Sequence, residues 1–140
     1  MNIDRISRWH LLYGLVFAII GMVLGIYMAS SQNHVQHVTH AHILLLGFVL
    51  SAIFAVIYRL WLPASSVKWA LAQTACHQLG TAVLAIGLFL LYGQVAPEAT
   101  VGPILGIASI GVLLGAVLML VQVLRAESRP SVMPKASAAT

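Results

Sequence analysis

With 140 residues, of which 61% are hydrophobic and only 7% charged, the chain carries about a quarter of the charge of an ordinary soluble domain, which excludes a water-soluble globule. A bilayer-spanning helix needs about 20 apolar residues, so four spans with short loops and a tail fill the length and exclude a large extramembrane catalytic domain. Seven Lys and Arg and a net charge of +4, scattered at the edges of the apolar runs, make no basic stripe, which excludes nucleic-acid binding.

The pattern predicts an all-α membrane protein, a four-transmembrane-helix bundle over residues 1–125. The first apolar run covers residues 9–29, after Asp4, Arg5 and Arg8. A basic start before an apolar stretch also describes a signal peptide, but this run is longer than a usual apolar core and lacks an A-x-A site, so we read it as a retained helix. Residues 30–39 form a polar connection with His34 and His37. The second run, 40–62, stops at Pro63, which disfavours helical geometry in the residue before it. A tight turn over 64–68 leads to the third run, 69–93, and a loop with Pro97 and Glu98 leads to the fourth, 101–124. Residues 126–140, small, polar and proline-bearing, read as a disordered tail.

If the runs alternate in direction, Arg5, Arg8, Arg59, Lys68, Arg125, Arg129 and Lys135 all fall on one side. The positive-inside rule then puts both termini in the cytoplasm of a cell bounded by this membrane, the inner (plasma) membrane. Trp9, Tyr58, Trp61 and Trp69 gather at that interface as anchors, and His10 reads as an interfacial anchor or as a partner of His77 across the first and third helices. His10, Gly14 and Gly21 weakly echo His77, Gly80 and Gly87, as a duplicated hairpin would. Gly21 and Gly25, Gly102 and Gly106, and Gly111 and Gly115 are small-xxx-small spacings that let helix backbones approach. The two pairs of the fourth helix point to opposite faces, nine residues turning an α-helix about two and a half times. One face suits packing within the bundle, the other a homo-oligomer.

Six histidines against three acidic residues are the anomaly, because an ionisable side chain within a span is costly and marks a candidate site. The densest group is His34, His37, His40 and His42. Imidazole ligates zinc, copper, iron or nickel, and its other ring nitrogen needs an acceptor. On a helix His37 and His40 share a face, whereas His40 and His42 point about 200° apart. Cys76 has no thiol partner and reads as packing. No acidic residue lies within the runs to orient a base, so nothing points to nucleophilic catalysis or to an ion path.

The segment Val38-Thr39-His40-Ala41-His42-Ile43-Leu44-Leu45-Leu46-Gly47-Phe48, continuing to Tyr58-Arg59-Leu60 and Pro63, resembles the helix of heme-copper oxidase and nitric oxide reductase catalytic subunits that supplies an axial histidine to the low-spin haem. It resembles more closely the small four-helix membrane proteins related to them, which carry a HAHxxLLGW-type segment. Met28 and His77 also fall where that pattern puts them. Leu44 and Phe48 stand where the pattern has a polar residue and Trp, and the histidine cluster for an active-site copper has no counterpart. The resemblance implies a b-type haem with His42 as axial ligand and candidate cofactor contacts at His77, His40 and Met28, and His10, as a partner of His77, is a further candidate contact.

Counting from the turns at about 1.5 Å per residue puts His42 near the outer surface and His77 about 15 Å deeper. Met28 counts to the depth of His42, which favours a His/Met haem or a Met/His copper site. His77 then serves as a ligand in a tilted helix, as a proton carrier beside a quinone-like molecule, or as a polar residue bonded to Gln73, Thr74 or Thr81. Three functions follow. One is a haem b protein for electron transfer or diatomic-gas sensing, with a redox protein or quinone as partner. Another is a copper-binding protein for storage, insertion or sensing that uses His34, His37, His40, His42 and Met28. The third is a non-catalytic assembly subunit of a respiratory complex.

Overall fold

The computed structural model describes residues 2–127. They form four helices, α1 (Ile3–Ser31), α2 (His37–Leu60), α3 (Val67–Tyr92) and α4 (Glu98–Glu127), and no strand occurs among the described residues. Each helix is long and apolar enough to cross a membrane, and their outward faces are lined with exposed Leu, Ile, Val and Phe. The protein is a multi-pass all-α membrane protein. Most of the tail expected over 126–140 lies outside the described residues.

Helix ends follow local chemistry. α1 starts six residues before its apolar run because the Asn2 side chain accepts the Arg5 N–H at 3.0 Å, while Asp4 sits in the first turn, where the helix dipole favours an anion. At its other end Gln32 is left-handed, with φ 54°. The early start moves His10 two turns inside the helix, and its ring is fully buried rather than anchored at the interface. Tyr58, also expected as an anchor, is likewise fully buried, whereas Trp9, Trp61 and Trp69 are exposed.

The chain folds as two antiparallel hairpins, α1 with α2 and α3 with α4, joined mainly by α3 packing on α1 and α2. The buried residues of α4, Ala108, Val112, Gly115, Met119 and Gln122, recur at three- and four-residue intervals, with Val101 two turns before them, the pattern of a narrow helix seam. In the upper half of α2 the buried positions are Thr39, Ile43, Gly47 and Ser51, four apart each time. In an α-helix each such step drifts about 40°, so a straight stripe would leave the core within three steps. The backbone over Ile43–Leu50 is a π-helix, whose wider turns absorb that drift.

Glycines set the close approaches. A Cβ at Gly80 would lie 3.0 Å from the Ala108 carbonyl, and one at Gly115 would lie 3.0 Å from the backbone nitrogen of His77. Gly14 meets the Phe48 carbonyl and Ser51 in the same way across α1 and α2. Gly111 faces Cys76 and Gly80 inside the bundle, whereas Gly106 has nothing near it and Gly102 only the Glu98 side chain of its own helix. The two glycine pairs of α4 thus lie on different faces, one packed and one open.

Candidate functional site

The buried face of α3 carries Gln73, Thr74, His77 and Thr81 at successive helical turns, so polar groups line a seam that apolar residues fill elsewhere. Helix α1 brings His10 against this seam. Its Nε2 lies 3.1 Å from Gln73 Oε1 and 3.0 Å from Thr74 Oγ1. The amide oxygen can only accept, and the Thr74 hydroxyl donates to the Ala70 carbonyl at 2.8 Å, so His10 Nε2 is the donor and carries the proton. His10 Nδ1 is then a bare lone pair, buried and without a partner.

The network extends to the other helices. Tyr58 of α2 donates its hydroxyl to Gln73 Oε1 at 3.1 Å and receives the Gln122 amide of α4 at 3.2 Å. Ser51 Oγ and His77 Nε2 are hydrogen-bonded at 3.0 Å. Phe54 stands edge-on to both imidazoles, at 5.8 Å from His10 and 4.9 Å from His77, and Tyr58 stacks on His10 at 5.7 Å. His10 and His77, expected as a possible pair across α1 and α3, have ring centroids 5.9 Å apart. The bonds to Gln73 and Thr74 considered for His77 belong to His10, and His77 turns to Ser51.

The outer histidines are arranged differently. His40 points at α1, its Nδ1 2.9 Å from the Gly21 carbonyl and its ring filling the space where Gly25 lacks a side chain. His42 Nδ1 is 2.8 Å from the Val38 carbonyl one turn back, and exposed His37 Nδ1 is 3.0 Å from the His34 carbonyl. A carbonyl only accepts, so in each ring Nδ1 carries the hydrogen and Nε2 keeps its lone pair, as in metal-ligating histidines. His40 and His42 face different neighbours, since Val38 and Leu46, one turn either side of His42, pack on Leu84, Leu88 and Ala108. Among the described residues no three His, Cys, Asp or Glu side chains converge on one point.

Depth separates the two groups. His77 is level with Ser51, nine residues and about 14 Å along the helix from His42. Buried Met28 does not share the depth of His42. The contacts of Gly14, Gly21 and Gly25 with Ser51, Leu44 and His40 fix a register in which Met28 is opposite His37, about 8 Å further out.

The fit to a haem differs between the sites. Between His10 and His77 the Nε2 atoms are engaged and aromatic rings cover the imidazoles, so that pair as packed does not admit a porphyrin. His42, half-buried with Nδ1 anchored and Nε2 unbonded, has the donor chemistry of an axial ligand. Gln122 and Tyr58, which complete the inner network, were not singled out as site residues from the sequence. A buried glutamine in an apolar final run was the available signal. Comparison of the chain with protein-family models, with curated proteins and with solved structures finds no match.

Proposed function

We propose that the protein binds a b-type haem through His42 and serves electron transfer or diatomic-gas sensing in the inner (plasma) membrane. The observation that carries this reading is the His42 ring itself, held by its Nδ1–H on the Val38 carbonyl with Nε2 left as a ligand. When bound, the haem supplies the redox or gas-binding iron. The chain's own part is to orient the imidazole, to hold its tautomer and to surround it with an apolar wall formed by α2, α3 and α4. Neither Met28 nor His77 is level with His42, so the two partners expected for it do not complete a second axial position in one chain, which favours the gas-sensing form of the reading.

Orientation follows from charge. Arg59 pairs with Asp4 and the Arg125 guanidinium lies 5.5 Å from the Trp69 ring centre, so basic residues of α2 and α4 meet α1 and α3 at one end of the bundle. That end, with both termini, is the cytoplasmic one. The open Gly102 and Gly106 face supports self-association through α4.

The experiment is a visible spectrum of the full chain purified after haem-sufficient expression. A Soret band that His42→Ala removes and His10→Ala retains supports the assignment. Absence of the band, or its loss only in the His10 variant, overturns it. A copper reading rests on the same free Nε2 atoms of His37, His40 and His42, but these do not converge, and elemental analysis of the same sample separates it.

A further inference from the structure

At the cytoplasmic end of the bundle a cavity of about 360 Å³ opens between the α2–α3 turn and the last turns of α4. This is within the size range of small-molecule sites. Trp61 and Trp69 line it with aromatic rings, and Ser65, Ser66, Gln122 and Arg125 supply the polar lining. Two of these polar groups are unfinished. The Ser65 hydroxyl and Gln122 Oε1 are sealed from solvent and have no hydrogen-bond partner, and Gln122 as a whole is only 7% exposed.

The chemistry of the missing partner can be read from the neighbours. The Gln122 Nε2 is committed, donating to Tyr58 Oη and to the Leu118 carbonyl, each at 3.2 Å. That fixes which end of the amide is oxygen, and leaves Oε1 as an acceptor awaiting a donor. An unpaired buried acceptor is costly, and an entering hydroxyl removes that cost with a small turn of the amide. A phosphate or carboxylate group by itself offers acceptors only and suits Arg125 but not Gln122. A quinone likewise has carbonyl acceptors. A phosphatidylglycerol headgroup adds glycerol hydroxyls and is the competitor that the titration separates. The occupant that matches a lining with two indoles, otherwise mostly apolar, and a buried acceptor is an aromatic ring bearing hydroxyls.

We propose that this cavity binds a membrane hydroquinone, one hydroxyl donating to Gln122 Oε1, with its ring between Trp61 and Trp69. The site is independent of haem at His42. Tyr58 and Gln73 are positioning residues, since Tyr58 Oη holds the Gln122 amide and is itself held by Gln73 Oε1.

The test is calorimetric titration of the full chain in lipid nanodiscs with a short-tailed 1,4-benzohydroquinone, its quinone and its dimethyl ether. Hydroquinone should bind about three- to tenfold more tightly than either analogue, the value of one hydrogen bond. Gln122→Met should erase that preference while weak binding of the ether persists, which shows that the variant is folded. Ser65→Ala, at the rim and outside the network, gives a second, smaller loss. Equal affinity for the three compounds, an unchanged preference in Gln122→Met, or displacement of all three by phosphatidylglycerol would overturn the proposal, the last assigning the cavity to an anionic lipid.

Discussion

The imidazoles of His10 and His77 lie 5.9 Å apart with their planes tilted by 35°, and neither Nδ1 has a hydrogen-bond partner. Each ring is tethered by its other nitrogen to a different helix, His10 to α3 and His77 to α2. The pair therefore ties three helices together at one depth in the membrane, yet leaves two polar nitrogens unmet. For His10 the tethers decide the tautomer, because both of its partner oxygens act as acceptors. We expect ¹⁵N spectra of selectively labelled protein to show His10 protonated at Nε2 and bare at Nδ1. The opposite tautomer would mean that the Gln73 amide is turned around.

Gln73 is the hub of this network, accepting from His10 and from Tyr58 on one oxygen. Replacing it by Leu keeps the volume but strands the Tyr58 hydroxyl and leaves His10 Nε2 with Thr74 Oγ1 alone. Interhelical hydrogen bonds in membranes are worth about 0.6 kcal/mol on average and up to about 1.7, so Gln73→Leu should destabilise the bundle by about 1–3 kcal/mol. Reversible unfolding in mixed micelles measures this. His10→Ala combined with Gln73→Leu should cost less than the sum of the two, as expected for side chains in one network. Full additivity would show that the contacts carry no energy.

The four spans were legible from apolar length alone, and the split of the α4 glycines into two faces followed from helical arithmetic. The start of α1 was not, because Asn2 and Asp4 extend the helix by capping and charge rather than by hydrophobicity. That hid the burial of His10. The four-residue recurrence of Thr39, Ile43, Gly47 and Ser51 was visible in the sequence, but only packing against α1 and α3 reveals it as the buried stripe of a π segment. Likewise Gln73, Thr74 and His77 could be seen as polar neighbours, whereas which of them His10 would occupy depended on the crossing of α1 and α3.

The seam between α3 and α4 should tolerate no side chain at Gly80. A methyl there would sit 3.0 Å from both a carbonyl oxygen and a backbone nitrogen of α4, so the helices must separate, at a cost of about 1–3 kcal/mol. Gly106→Ala, in open space within one chain, should change the stability of the monomer by less than about 0.5 kcal/mol while weakening self-association through that face. The same unfolding measurement compares the two. Equal effects would mean that the outer face of α4 is also packed, as in a tight oligomer, which size-exclusion with light scattering would reveal.

The surface pair of Asp4 with Arg59 is more than half exposed on both sides, where ion pairs contribute about 0–1 kcal/mol and are screened by salt. Asp4→Asn should thus leave the unfolding midpoint nearly unchanged at physiological salt. A large loss would instead point to the role of Asp4 in the first turn of α1, and Asp4→Glu would then restore stability.

The register of α2 supplies a sharper test of the two histidine groups. The π segment Ile43–Leu50 lies between His42 and Ser51, so it sets the rotation of the outer histidines relative to the inner network. Deleting both exposed residues of that segment, Leu45 and Val49, removes two residues. One is taken up as the π segment closes to α-helix, and the other rotates one half of α2 against the other by about 100°. Either His40 leaves the Gly21 carbonyl or Ser51 leaves His77. Because the lower half is held by Tyr58, Phe54 and Ser51 together, the outer half should yield. The deletion should abolish the Soret band assigned to His42 while the ¹⁵N signature of His10 persists. Loss of the His10 signature with the Soret band intact would show that the outer half of α2 is the better anchored.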